Sequence, residues 1–465
     1  MKSSNPNHSS RSCPGPIQIA TGGRRAFMQA GLAGFSTLSL PGILKYQAQA
    51  AESSNAGSDK KAVIMVWQPG GLSHLDSYDP KPEIGSEYRG PFKTIPTKIP
   101  GLQFTELMPR QAAIADKLVV LRSMRQTAGG HPAGSMQLLS GDPDTRDKPK
   151  PKYPDWMTIS NYLMSQKGPR QNPLPCYVGI NPPLEYNGPA YLGDAYSPFV
   201  VSGDPNSASF SVPNIGLTDM DEVRRIGRRS TLRQRLDTLE RSFDQARELS
   251  ALDEFESQAM TLLTNPQTKI AFDLSREDPR TRDRYGRNAW GQQLLLARRL
   301  VEAGVDVLTT SLNGPLCGRV QNWDDHAVNH NVFEAMKFRS QAYDQAVSAL
   351  IEDIYARGLD KRVLVVATGE FGRTPRVDKN SPGRFGRDHY PAAMSMLISG
   401  GSGPLATVIG STNSKAEYPT DRPLDPDDIR ATLMRHLGID YTQELPDNAG
   451  RPLPLCYGRH LSEWA

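Results

Sequence analysis

Cysteine is scarce in this sequence, which has four cysteines in 465 residues. Cys13 lies close to the N-terminus, which leaves Cys176, Cys317 and Cys456 in the body of the chain. Those three thiols can form at most one intrachain bridge, and no C-x-x-C spacing of a zinc cluster occurs. Disulfides and cysteine-bound zinc are therefore excluded as the scaffold of the fold.

The chain also lacks an excess of one charge once its first 50 residues are set aside. The whole sequence has 54 basic and 50 acidic residues, for a net charge of +4, but all of the excess lies in residues 1–50, which contain no acid. A protein that binds the phosphate backbone needs a patch of uncompensated Lys and Arg. A nucleic-acid partner is therefore not expected.

A long hydrophobic run is missing too, even from the N-terminal region. There the pair Arg24-Arg25 precedes a weakly apolar run diluted by Gly and Ser, and Ala48 and Ala50 suit signal peptidase. This pattern predicts a twin-arginine export signal, because the run is too weak for a stable membrane span. The alternative is an uncleaved N-terminal anchor. We expect a periplasmic or otherwise extracytoplasmic protein with no membrane span after cleavage.

Short apolar runs alternate with helical periodicity in the rest of the chain. The strand-like runs are 61–67, 117–123, 305–311 and 361–367, and the helix-like segments are 292–303, 341–357 and 425–437. Nearly continuous apolar strands are typical of a parallel sheet that is buried on both faces. The sequence therefore predicts an α/β fold, with a central, mostly parallel sheet flanked by helices on both faces.

The domain organisation follows from the same pattern. We expect a signal peptide at 1–50, a linker at 51–60 and one α/β domain at 61–465. Within that domain, prolines interrupt the regular pattern from 142 to 215, and balanced acids and bases suggest solvated charged helices in 217–264. Residues 142–264 are thus interpreted as a long insertion that shapes the entrance to the site.

Residues with catalytic or metal-binding chemistry concentrate in loops that follow the strands, where open α/β sheets place their ligands. The loops are 70–82, 127–136, 322–330, 368–375 and 386–390, and their histidines are His74, His131, His326, His330 and His389. Aspartates and glutamates stand beside these histidines. The sequence therefore predicts a metal or anion site.

Two of these loops carry local expectations about helices. A helix beginning near His131 would offer free amides and a positive dipole to a phosphate or sulfate group. If the 322–330 loop opens a helix, His326 and His330 share one face, with Asp324 beside them.

Four strings in these loops resemble family 1501 of the domains of unknown function, which are twin-arginine-exported bacterial proteins of the alkaline phosphatase and sulfatase superfamily. The strings are Gly70 to Asp76, Trp323 to His326, Gly369 to Pro375 and Gly386 to Tyr390, with Ala297 to Val305 between them. The resemblance covers the chain from about Lys61 to its end. It implies an alkaline-phosphatase-like sheet with a divalent-metal site at the strand ends, and it brings no known reaction.

The sequence departs from better-known members of that superfamily. Sulfatases carry a cysteine seven residues before a Leu-Leu-Thr-Gly string, and the corresponding position before Leu138 is His131, which excludes formylglycine chemistry. Superfamily enzymes have an Asp-His pair where this chain has Glu370 and Phe371. The first strand ends in Gln68, where a metal-binding aspartate is usual. A standard two-metal phosphatase is therefore not expected.

The resulting hypothesis is a metal-dependent hydrolase of a phosphate or sulfate ester, either a small molecule or part of a polymer. One divalent ion, zinc, calcium or manganese, would be bound by some combination of Asp76, Asp324, His326, Glu370 and His389. His131 would be a further ligand or the attacking group. The alternative is a non-catalytic binding or scaffold protein that retains the fold.

Arginines in the same loops are candidates for binding the ester oxygens. Arg373 or Arg387 would neutralise the non-bridging oxygens, although Arg373 could instead form a structural ion pair with Glu370, three residues away. Ser73, Ser135 and Thr127 are fallback nucleophiles without a triad arrangement around them.

Overall fold

The computed structural model describes residues 60–168, 170, 172–182, 186–212, 215, 261–314, 316, 322–324, 326–327 and 331–464. The predicted signal peptide, the linker up to residue 59 and the predicted charged helices of 217–264, apart from 261–264, lie outside the described residues.

The strands and helices alternate along the chain as the apolar runs predict. The strands are β1 (Ala62–Trp67), β2 (Thr94–Pro96), β3 (Gln103–Thr105), β4 (Val119–Met124), β5 (Tyr177–Ile180), β6 (Phe199–Val201), β7 (Val307–Ser311), β8 (Val363–Thr368), β9 (Gly372–Arg373), β10 (Asp378–Ser381), β11 (Arg384–Gly386), β12 (His389–Tyr390), β13 (Met394–Gly400), β14 (Thr407–Ile409), β15 (Ser411–Thr412), β16 (Pro419–Asp421), β17 (Glu444–Pro446) and β18 (Pro452–Pro454). The α-helices are α1 (Ser86–Arg89), α2 (Pro109–Ala113), α3 (His131–Ser140), α4 (Trp156–Ser165), α5 (Pro266–Phe272), α6 (Pro279–Tyr285), α7 (Ala289–Glu302), α8 (Val332–Ala356) and α9 (Pro426–His436).

Eight strands form one mixed sheet in the order β14-β4-β13-β8-β1-β7-β5-β6. Strand β1 pairs in parallel with β7 and β8, and β13 is the antiparallel strand between β8 and β4. The predicted mostly parallel sheet is confirmed. In the register, Trp67 at the end of β1 faces Ser311 of β7 and Thr368 of β8. The loops after these three strands therefore start at one edge.

The two faces of the sheet are both buried under helices. Along β1, Val63, Met65 and Trp67 belong to a core cluster that includes residues of α3, α4 and α9, whereas Ile64 and Val66 belong to the cluster under α7 and α8. Successive side chains of a strand point to opposite faces, so a strand covered on both sides must be apolar at every position. This explains the continuous apolar run and confirms the predicted helices on both faces.

One local expectation about regular structure is wrong, and one confirmed helix begins earlier than predicted. The proline-rich stretch, interpreted as an insertion that breaks the regular pattern, contributes α4 and the sheet strands β5 and β6. The helix predicted at 341–357 begins at Val332, where the side chain of Asn331 accepts a hydrogen bond from the Phe333 amide. No helix in the described part is both long enough and apolar enough to cross a membrane.

Candidate functional site

The predicted site residues are carried to the carboxyl edge of the sheet by four different connections. His131 is the first residue of α3, which follows β4, and Glu370 comes two residues after β8. Asp324 lies between β7 and α8, and His389 lies in the short strand β12 that precedes β13. Because these strand ends meet at one edge, residues up to 258 positions apart become neighbours.

Asp324 is the centre of the resulting cluster. Its Oδ1 lies 2.8 Å from His326 Nε2 and 2.9 Å from His389 Nε2, and its Oδ2 lies 3.0 Å from His131 Nε2. Arg373 donates a hydrogen bond of 3.1 Å to the same Oδ1. The Asp324 side chain is 30% exposed, so the cluster is open to solvent on one side.

Three of these residues have ligand atoms close enough to share one ion. One atom each from His131, Asp324 and His389 lies within 4.8 Å of the other two. Two imidazole nitrogens and a carboxylate oxygen are a donor set typical of zinc or another transition metal, whereas calcium prefers oxygen ligands throughout. The donor chemistry therefore fits a transition-metal ion better than calcium.

A second layer of groups orients the three histidines. Glu370 Oε1 lies 2.6 Å from His131 Nδ1 and also accepts a 2.7 Å hydrogen bond from the Gly70 amide. The carbonyl of Gly129 lies 2.9 Å from His389 Nδ1. Each ring thus has its second nitrogen engaged by an oxygen, which is how proteins orient imidazoles that bind metals.

His326 is oriented in the same way, since its Nδ1 contacts the carboxylate of Asp388. Glu370 Oε2 is buried and has no hydrogen-bond partner within the described chain. A carboxylate oxygen without a partner inside a protein is costly, so this oxygen indicates that Glu370 has a role beyond packing.

The cluster shifts the pKa values of two of its members in opposite directions. Burial lowers the pKa of His131, but the hydrogen bonds that its ring donates to Asp324 and Glu370 outweigh this effect and raise the pKa to about 9. Burial raises the pKa of Asp324, but the hydrogen bonds from His131 and His389 hold it well below its usual range. In the absence of a metal ion, a charged His131 therefore faces a charged Asp324 at neutral pH.

Asp76, predicted as a metal ligand, does not join this cluster. Its carboxylate is fully buried and forms a salt bridge of 2.6 Å with Arg387 Nε, and its Oδ2 accepts a 2.5 Å hydrogen bond from Ser73. Arg387 is equally buried and also donates to the carbonyl oxygens of Tyr88 and Thr374. Both residues thus form a structural pair within the same edge of the sheet.

Arg373 is buried and makes a different ion pair from the one considered from the sequence. Its guanidinium donates to the carbonyl oxygens of Gly70 and Trp323 and pairs with Asp324 rather than with Glu370. These contacts fix the two loops that carry the cluster. Contact of Arg373 with substrate oxygens stays a prediction.

The helix expected to place His326 and His330 on one face does not begin there. His326 precedes α8, and His330 lies outside the described residues. Instead the Trp323 amide donates a hydrogen bond of 2.7 Å to the carbonyl of Pro69, and the Asp324 amide donates one of 3.0 Å to Asn322 Oδ1. The first of these bonds ties the segment to the loop after β1, and the second is local to the segment. The helix start predicted near His131 is confirmed.

Several contacts in the site were not predicted from the sequence. Asp388, the Gly129 carbonyl and the Gly70 amide orient the predicted residues, and the Phe371 ring packs 4.3 Å from the His389 ring and 5.4 Å from the His131 ring. Asp388 and Phe371 are next to His389 and Glu370 in the sequence. That proximity is the signal by which they could have been predicted. Cys176 and Cys456 are free thiols, and Cys317 lies outside the described residues.

The family model described as protein of unknown function (DUF1501) matches residues 60–463, so the chain belongs to this family. The family predicted from the sequence strings is confirmed. No curated protein matches the chain.

The solved structures similar to the chain include proteins of several kinds. A protein in the alkaline phosphatase superfamily from Vibrio parahaemolyticus has a TM-score of 0.38 at 10% identity, covering 83% of this chain and 68% of that chain. The PsFucS1 sulfatase from Pseudoalteromonas sp. has a TM-score of 0.37 at 13% identity, covering 91% and 75%. The C-terminal periplasmic domain of EcEptC from Escherichia coli, in complex with Zn, has a TM-score of 0.35 at 10% identity, covering 83% and 85%.

Proposed function

We propose that this DUF1501 member is an exported, metal-dependent hydrolase of phosphate or sulfate esters. The observation that carries the proposal is the convergence of His131, Asp324 and His389 on one open edge of the sheet, with His326 and Glu370 around them. Imidazoles and carboxylates collected from distant parts of a chain, with one side open to solvent, are typical of a catalytic metal site.

The proposed ligands are His131 Nε2, Asp324 and His389 Nε2. A divalent transition ion bound there would supply a Lewis acid for the ester oxygens and an activated water. His131 has only Nε2 left for this purpose, since its Nδ1 contacts Glu370. The same nitrogen would be needed for attack on the ester, so we assign His131 as a ligand and Glu370 as the residue that positions it.

His326 is the proposed proton-transfer group. Its side chain is 32% exposed beside the ligands, and Asp388 fixes the orientation of its ring through Nδ1. Its Nε2 faces the cluster, where it can hold a proton for the leaving group. Arg373 keeps Asp324 in place and adds positive charge, which together with the ion favours an anionic ester, free or borne by a polymer.

Metal analysis of the folded mature protein tests the proposal. The protein is purified without chelator or metal-affinity tag, beside Asp324→Asn, His389→Ala and the control His460→Ala, whose histidine contacts Tyr441 outside the cluster. We expect about one ion per chain in the wild type and the control, and none in the two cluster variants. A folded wild type without metal would contradict the proposal.

One observation favours the alternative, a binding protein that has lost catalysis. Phe371 packs against His131 and His389 at the position where the resembled enzymes have a metal-binding histidine. A screen of phosphate and sulfate esters with the metal-loaded protein separates the two functions. Hydrolysis lost in His326→Gln with metal retained supports the enzyme. Stoichiometric metal without turnover of any ester supports the binding protein.

We further propose export by the twin-arginine route, on the basis of the Arg24-Arg25 pair and the weak apolar run after it. The full chain should appear outside the cytoplasm, processed after Ala50. Arg24→Lys with Arg25→Lys should leave an unprocessed precursor inside the cell, measured by fractionation and N-terminal sequencing. Equal export of this double variant would contradict the route.

A further inference from the structure

A cavity of about 470 Å³ lies between three segments of the chain. Helix α1 contributes Tyr88, the turn after Arg373 contributes Arg376, and the loop before β16 contributes Ser414 and Lys415. A space of this size is typical of sites for small organic ligands and far exceeds a bare sulfate or phosphate ion. It has room for an anionic group together with part of the molecule that carries it.

The charge of this pocket favours an anion. Arg376 and Lys415 are exposed, and neither forms an ion pair within the described part of the chain. The Lys415 Nζ lies 5.1 Å from the centre of the Tyr88 ring, which holds the lysine against the pocket wall. Glu87 is the acidic residue of the lining, so two positive charges face one negative charge.

The loop that carries Lys415 is attached to the site by two residues that the proposed chemistry does not use. His74 Nε2 lies 2.9 Å from the carbonyl oxygen of Ala416, and the Tyr390 hydroxyl donates a 2.8 Å hydrogen bond to the carbonyl of Glu417. Tyr390 directly follows His389 of the cluster, and His74 lies in the loop after β1, whose Gly70 amide donates to Glu370. Their bonds therefore fix the position of Lys415 relative to the cluster.

The pocket also lies within reach of the cluster. Arg376 follows Arg373, the partner of Asp324, by three residues, which limits their Cα separation to roughly 11 Å even in an extended chain. On the Tyr88 side of the pocket, Arg387 donates a hydrogen bond of 2.6 Å to the Tyr88 carbonyl. The next residue, Asp388, contacts His326 of the cluster. One elongated molecule can therefore contact both places.

We propose that Tyr88, Arg376 and Lys415 form a subsite for a second anionic group of the ester substrate. The substrate class is then a polyanion that carries at least two sulfate or phosphate groups, rather than a monoester with a single charged group. His74 and Tyr390 are positioning residues for this subsite. The inference rests on the proposed hydrolase function for the identity of its ligand, but its binding test does not require turnover.

Binding of charged dextran oligomers tests the subsite. Sulfated, phosphorylated and uncharged dextran oligomers of equal length are titrated into the metal-loaded protein at physiological salt. The titration compares the wild type with two double variants. The pocket variant combines Arg376→Ala and Lys415→Ala. The control variant combines Lys269→Ala and Arg435→Ala, which removes the same charge from exposed positions elsewhere. The charged oligomer that binds with the higher affinity shows whether the anionic group is a sulfate or a phosphate.

We expect the wild type to bind a charged oligomer and not the uncharged one. The pocket variant should bind at least about tenfold more weakly, since each charge-assisted contact is worth about a factor of ten, while the control changes less than about twofold. Equal losses in both double variants, or no binding of either charged oligomer by the wild type, would overturn the subsite.

Hydrolysis of small esters separates this inference from the proposed function. p-Nitrophenyl phosphate and p-nitrophenyl sulfate carry one anionic group, so the pocket variant should keep the wild-type kcat/KM and metal content. If the pocket variant also loses kcat/KM on these small esters, the assignment of the pocket to a second anionic group is overturned. If the wild type hydrolyses no ester, the proposed function fails while the oligomer titration still decides the subsite.

Discussion

Two aspartate–arginine pairs lie at the same edge of the sheet and have opposite characters. The Asp76–Arg387 pair is closed: both side chains are buried, and Ser73 and backbone carbonyls take up their remaining hydrogen-bonding capacity. The Asp324–Arg373 pair is open: its carboxylate is 30% exposed and is shared with three histidines. The closed pair has no capacity left for a ligand, whereas the open pair offers exchangeable contacts.

The difference shows how one edge of a sheet serves both structure and chemistry. A buried carboxylate needs a fixed counter-charge, because leaving either partner alone in the interior is expensive. A carboxylate at the surface of a cleft can exchange protonated imidazoles for a metal ion at little cost, because both arrangements neutralise it. Arg373 joins the two roles, since it braces Asp324 and also binds the backbone of Gly70 and Trp323.

The largest expected effect is on metal binding at the open pair. Asp324→Asn should reduce metal affinity by at least about a thousandfold, more than the roughly 10–100-fold typical of losing an orienting group, because a ligand itself is removed. Isothermal titration with zinc and manganese measures it, with circular dichroism to verify the fold. Wild-type affinity in a folded Asp324→Asn protein would show that the cluster is not the metal site.

Breaking the closed pair should lower the stability of the fold instead of the metal affinity. Arg387→Met leaves the buried Asp76 without its counter-charge, so the free energy of unfolding should fall by about 3–5 kcal/mol, while metal per folded chain stays unchanged. Urea denaturation measures the loss. Asp76→Leu combined with Arg387→Met should recover most of it. A stable Arg387→Met protein that has lost its metal would reverse the assignments of the two pairs.

An orienting residue of the open pair should have a smaller effect. Glu370→Gln keeps the size of the side chain but weakens its hold on His131 Nδ1, so metal affinity should fall by roughly 10–100-fold. The matched change at the closed pair, Ser73→Ala, should cost about 1 kcal/mol of stability and leave metal affinity unchanged. Equal metal affinities in Glu370→Gln and the wild type would contradict the positioning role.

Metal affinity should depend on pH, because His131 must lose a proton before it can bind the ion. The pKa of His131 is raised to about 9, so its protonated form stabilises the metal-free fold fully below pH 6.5, and this contribution is lost as pH rises through 9. Metal binding needs the neutral ring, so affinity should rise by about tenfold per pH unit from 7 to 9 and then level off. Titrations at pH 7, 8 and 9 measure it, and a flat profile in this range would contradict the proton release.

The sheet itself was predictable because its strands are buried on both faces. Continuous apolar runs located β1, β4, β7 and β8 within about two residues, and strand ends then pointed to the loops that contain the site. The predicted residues Asp324, His326, Glu370 and His389 do meet there, together with His131. Which carboxylate pairs with which arginine was not predictable, since Asp76 and Asp324 both stand in short strings that also contain a histidine.

Two wrong expectations have the same physical origin. The helix expected around His326 and the ion pair expected between Glu370 and Arg373 both came from local spacing. In the structure, backbone hydrogen bonds to Pro69 and Gly70, more than 250 residues away in sequence, hold these segments instead. Gly70 permits this approach, since its φ of +93° and the Asp324 backbone beside it leave no room for a Cβ.

The sequence by itself determined the α/β class, the family and the loops that carry the reactive side chains, because hydrophobic periodicity and motif strings are local properties of the chain. The tertiary structure alone decided that Asp324 is shared by three histidines while Asp76 is closed by Arg387. It also decided that the Lys415 loop is hydrogen-bonded to His74 and Tyr390. Those outcomes depend on the register of strands far apart in sequence, which brings residues together without leaving a local pattern.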